Sequence, residues 1–101
     1  MNGSRTQYRL GKASDRLHLV EGLLIAILDI DDVIAIIRGS DDAGVARAKL
    51  IEAFELTEIQ ANHILDMQLR RLTKFSRIEL ESERDELQQR IADLQAIIDD
   101  P

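Results

Sequence analysis

The side chains that could do chemistry are few, and their spacing argues against a reaction centre. His18 and His63 are the two histidines. They lie far apart, and neither has a second histidine or a paired acid at ligand spacing on its own helix face, so no imidazole metal site is expected. There is no cysteine, which removes thiolate ligands and a disulfide framework together. Glu79, Glu81 and Glu83, or Asp99 with Asp100, offer oxygen ligands of the kind Mg²⁺ takes. Acidic runs on long helices are usually solvated faces, and that reading is preferred here. Nothing around Tyr8 reads as the basic cluster that phosphoryl transfer through a tyrosine would need, and no glycine-rich loop is present to cradle ATP. With 13 basic residues against 19 acidic ones the net charge is −6. The tightest basic group, Arg70, Arg71 and Lys74, sits among acids, so the chain lacks the clustered footprint of phosphate-backbone binding. No catalytic, cofactor-binding or metal-ligating residue is expected.

What remains is a surface. In the stretch Leu56–Thr73, LTEIQANHILDMQLRRLT, the residues Ile59, His63 and Met67 recur every four positions and are flanked by Asn62, Asp66 and Arg70. On a helix this is one mixed stripe. Ala61, Ile64, Leu65, Leu69 and Leu72 fall on a separate apolar arc wide enough to cover a core. A helix with two such faces has two partners: its own core, and a second surface. A self-contained stripe on one helix suits an isologous homodimer contact through Ile59, Asn62, His63, Asp66, Met67 and Arg70.

The elements that must position that stripe are helical. Thr57 followed by Gln60 fits a capping box, so the central helix is predicted from about Glu58 and to continue to Thr73. Residues 1–4 read as an initiator methionine and a cloning remnant, expected to be disordered. Over residues 5–29, Leu10, Ala13, Leu17, Val20, Leu24 and Ile27 recur at alternating spacings of three and four, a heptad seam that predicts a first coiled-coil arm. Gly11 and Gly22 read as tolerated within it. Asp32–Arg38 is expected to be a short, largely buried helix, Gly39 to take a left-handed turn, and Ser40 to cap the next helix, which carries Ala43, Ala46, Leu50, Ile51 and Phe54 on one face. Thr73 is the expected cap of a returning arm over residues 74–101, with Leu80, Leu87 and Leu94 every seven residues and Glu83 and Arg90 making its near end partly polar. The fold class is therefore all-α: antiparallel coiled-coil arms capped by a small helical domain over residues 30–73. With 45% hydrophobic residues but only 3% aromatic, its core must be aliphatic. The longest apolar run, Leu23–Leu28, is far too short to span a membrane. A soluble, cytoplasmic protein is expected.

QANHILDMQLRRLT resembles the motif found, in the A subunit of DNA gyrase and its topoisomerase IV counterpart, between the two arms of a long coiled coil, in the small domain that closes the exit gate. RTQYRLGKASDRLHLVEGLLIAILDIDDVIAIIRGS resembles the outgoing arm and first gate helices of that family, and RIELESERDELQQRIADLQAIIDDP the start of its returning arm. The resemblance covers Arg5 to Pro101, with the gyrase branch preferred. It implies a non-catalytic dimerisation module of a type IIA topoisomerase. The parent enzyme passes one duplex through a break in another, with ATP handled by its partner, the gyrase B subunit. The cleavage tyrosine of that family lies upstream of the coiled coil, so Tyr8 is not that residue. A rival reading from another class is a coiled-coil adaptor that binds an unrelated helical partner through the same stripe. A small DNA-binding protein is disfavoured by the acidic charge.

Overall fold

The heptad seam of the N-terminal third winds into one long helix, α1 (Asn2–Leu28), followed by α2 (Ile30–Gly39), α3 (Ala43–Phe54), α4 (Glu58–Asp66), the single turn α5 (Leu69–Leu72) and a second long helix, α6 (Arg77–Asp99). The computed structural model describes residues 2–67 and 69–99, with side chains from residue 5 onward apart from Leu69. Among these residues the fold is all-α, as expected. The helix begins at Asn2, where disorder was expected. Asp100, and the place of Leu69 on the apolar arc, lie outside what is described.

With 27 residues, α1 is about 40 Å long and sets the long axis of a particle measuring 53 × 27 × 20 Å. It packs antiparallel to α6. Arg16 meets Glu83, while Tyr8 shares a crevice with Leu94 nearer the ends, so positions rise along one helix as they fall along the other. From the seam, Ala13, Val20 and Leu24 are buried, as are Leu80 and Leu87 opposite them. Where the returning seam turns polar, Glu83 accepts from Nε and Nη2 of Arg16 at 2.7 and 3.0 Å. Both side chains remain partly solvated, so the pair fixes register more than it stabilises, contributing about 0–1 kcal/mol.

Toward its C-terminus α1 buries a second face, Leu23 and Ala26, against the short helices. Val33 of α2, Ala46 and Leu50 of α3, and Ala61 and Ile64 of α4 complete an aliphatic core. Only Val33 of α2 is fully buried, while Ile30, Ile36 and Ile37 pack partly against the core, so this helix is less enclosed than its composition predicted. Its start at Ile30 is also earlier than expected. The turn after it uses different caps from those anticipated. Among the described residues no glycine has a positive φ, Ser40 Oγ donates back to the Ile36 carbonyl at 2.6 Å, and Asp42 caps α3 by accepting from Val45 N. At the end of α3 the left-handed residue is Glu55, with φ 56°.

The central segment is not one helix. Thr57 and Gln60 form the expected capping box, but α4 stops at Asp66 and Met67 is extended, with ψ 139°. An unbroken helix from Glu58 to Thr73 would run about 24 Å straight away from its cap. The break brings Leu72 back to the core, where it is 1% exposed, and directs the chain into α6. Thr73 closes this turn by donating to the Arg70 carbonyl, and Ser76, not Thr73, caps α6 through Glu79 N and Leu80 N.

Candidate functional site

The surface stripe sits on α4, and α4 is held against α1 by a polar node. Gln60 is 6% exposed and makes three hydrogen bonds: its backbone N–H donates to Thr57 Oγ1 at 3.2 Å, its Oε1 accepts from Thr57 N at 3.0 Å, and its Nε2 donates to the His18 carbonyl at 2.7 Å. The His18 ring adds a fourth link, Nε2 to Thr57 Oγ1 at 2.6 Å. Such satisfaction is what lets an amide be buried at a helix crossing. The crossing is close because residue 22 is glycine. A Cβ there would stand 2.9 Å from both Cβ and Cγ of Gln60. Gly22 is therefore a packing requirement rather than a tolerated residue.

Anchored in this way, α4 presents Ile59, Asn62, His63 and Asp66 at helical spacings of three and four. Ile59 is 64% exposed and borders Leu19 and His18 of α1, and Asp66 is also exposed. Asn62 is half-buried. His63 is half-buried too, with Nε2 enclosed and without a hydrogen-bond partner among the described residues. Burial, followed by the positive charges of Arg16 and Arg71, pushes its imidazole below the ordinary value, against a smaller upward pull from Asp66. The stripe is thus interrupted: Met67 stands at the helix break and packs partly against the core, and Arg70 is exposed on α5. On one uninterrupted helix all six would have lined up; the structure keeps four together on α4 and leaves Met67 and Arg70 beyond its end.

Among the described residues no group of three or more His, Asp or Glu is placed to hold a metal ion, and no helix is long and apolar enough to cross a membrane. What the site offers is a hydrogen-bond-anchored helix face with one exposed isoleucine among polar groups, carried on the cap of an antiparallel helix pair.

Residues 1–101 match the family of DNA gyrase/topoisomerase IV A subunits. The chain belongs to this family. It is 51% identical over 94 residues to the DNA gyrase A subunit of Synechocystis sp., 52% over 96 to that of Staphylococcus epidermidis strain ATCC 12228, and 48% over 97 to that of Streptomyces coelicolor. These matches cover 93%, 95% and 96% of this chain but 11% of each relative. The likeness to the gyrase proteins agrees with the branch preferred from sequence.

Two features of this gyrase-family segment escaped the sequence reading. Gly22 carried a signal, a glycine inside an otherwise helix-favouring arm and beside its apolar seam. The basic residues near Tyr8 carried another, since Arg5, Arg9, Lys12 and Arg16 follow one another at spacings of four, three and four on one helix face.

Proposed function

We propose that this segment is the exit-gate dimerisation module of a type IIA topoisomerase resembling the gyrase A subunit. In this reading the parent enzyme passes one duplex through a break in another, works with the gyrase B subunit in the cytoplasm, and releases the transported duplex through the gate. The observation that carries the reading is a whole-chain family match combined with a helix pair whose inserted cap exposes Ile59 on α4. A gate must hold two halves together while DNA is broken and still reopen, so its contact cannot be a fully apolar core. One isoleucine among Asn62, His63 and Asp66 suits that compromise, with Met67 and Arg70 extending the contact across the helix break. Two copies related by a two-fold axis would each supply the same patch. In this reading the cleavage parts belong to other regions of the parent and ATP handling to its gyrase B partner, so the segment itself neither relaxes DNA nor hydrolyses ATP.

Sedimentation at micromolar concentration tests this, with a species of twice the 11.4 kDa chain mass expected. Covering two isoleucines that are each 64% exposed contributes about 2–4 kcal/mol, so Ile59→Glu should weaken the dimer by on the order of a hundredfold while leaving helix content unchanged. Ile59 is a cleaner probe than Met67, whose contact with the core would be disturbed as well. A purely monomeric wild-type chain would sink the homodimer and favour the adaptor reading.

A further inference from the structure

Between α1 and α6, beside Ala13, lies a crevice of about 510 Å³, within the roughly 300–1,000 Å³ range of small-molecule sites. Its floor is apolar, formed by Ala13, Leu87 and Leu94. Its rim is cationic. Arg9 and Lys12 approach from α1 and Arg90 from α6, and none of the three is in an ion pair among the described residues. Arg16 closes the inner end, already engaged by Glu83. Tyr8, 64% exposed, stands at the mouth with Lys12 Nζ 5.2 Å from its ring centroid. In a chain of net charge −6, no carboxylate is among the described residues that line this space.

We propose that this crevice binds a small amphipathic organic anion: a flat aromatic or short aliphatic body carrying one sulfonate, carboxylate or phosphate. The body covers the Leu87 and Leu94 floor beside the Tyr8 ring, and the anionic oxygens meet Arg9 and Arg90. A guanidinium from each helix is the informative feature, because a ligand held by both clamps the two long helices together. Guanidinium groups suit oxyanions through paired, planar hydrogen bonds. A nucleic-acid backbone fits less well, since it would match the cations but has no apolar body to place on a floor recessed between two helices.

The test is fluorescence titration of the 101-residue chain with 8-anilinonaphthalene-1-sulfonate and with its uncharged analogue N-phenyl-1-naphthylamine. One sulfonate probe per chain should bind, at least tenfold more tightly than the neutral one. The Arg9→Gln/Arg90→Gln double variant should lose that preference while keeping its circular dichroism and urea midpoint, because both side chains are exposed. Equal affinity for the two probes would overturn the proposal, as would sulfonate affinity within twofold of wild type in the double variant. Displacement of the bound probe by a short DNA duplex would also overturn it, in favour of a nucleic-acid contact.

Discussion

Gly22→Ala and Gly11→Ala are the same substitution in the same helix, and the structure gives them opposite signs. In an exposed helix interior, alanine is favoured over glycine by about 1 kcal/mol. At Gly11 nothing lies within 4 Å of the added methyl, so that gain is realised. At Gly22 the methyl would sit 2.9 Å from Cβ and Cγ of Gln60, atoms at the base of the side chain that no rotamer change can move aside together. Helices α1 and α4 must therefore separate. Overpacking of this kind costs about 1–3 kcal/mol. Separation also stretches the 2.7 Å bond from Gln60 Nε2 to the His18 carbonyl, and a buried amide left unsatisfied costs about 1–3 kcal/mol more. After the propensity gain, Gly22→Ala should be destabilising by about 3 kcal/mol, a large share of the 5–15 kcal/mol typical of a domain. Urea unfolding followed at 222 nm reads both variants, at one fixed protein concentration so that any dimer contributes equally. With an m-value of about 1.5 kcal/mol/M, Gly22→Ala should lower the midpoint by about 2 M and Gly11→Ala should raise it by about half that or less. A Gly22→Ala midpoint at or above wild type would refute the close crossing of α1 and α4.

Other expectations follow from single features. His63 is held below its ordinary value, so the unfolded chain binds its proton more readily than the folded one. Stability from this group is complete above the unfolded value of about 6.5 and is lost as pH falls through the folded value; His63→Gln should flatten the decline in urea midpoint on going from pH 7 downward. A decline equally steep in the variant would assign it to other groups. Glu83, held below its ordinary carboxylate value by the Arg16 hydrogen bonds, acts in the same direction but only at lower pH, and its share is small because the pair is partly solvated. Glu55 occupies a left-handed conformation that glycine adopts without strain, so Glu55→Gly should stabilise by about 0.5–1 kcal/mol, read as a higher thermal midpoint. A lower midpoint would mean that the Glu55 side chain contributes more than its backbone strain costs.

What the sequence by itself determined is local. The alternating three and four spacing that runs from Leu10 to Ile27 already specified the stripe on a long helix from which Ala13, Val20 and Leu24 are buried, and Leu80 with Leu87 its counterpart. Thr57 and Gln60 announced their reciprocal cap because both partners lie within four residues. Each of these signals is complete within a single helix and its cap, so no distant residue was needed to read it. The tertiary structure decided the rest. Ser40 and Thr73 have side chains that can cap a helix, yet Asp42 and Ser76 take those places, because which residue caps a helix depends on where the chain must turn to rejoin α1. The apolar arc of the central segment continues past Met67 at a helical period, yet the helix breaks there because Leu72 must return to a core built largely by α1 and α6. Gln60 approaches Gly22 across a separation of 38 positions, and Arg90 comes to face Arg9 only because α6 runs back along α1. Periodicity specifies which face of a helix is apolar, but not how closely another helix crosses it or which charges meet across the gap, since both are set by helix axes positioned by residues far away in the chain.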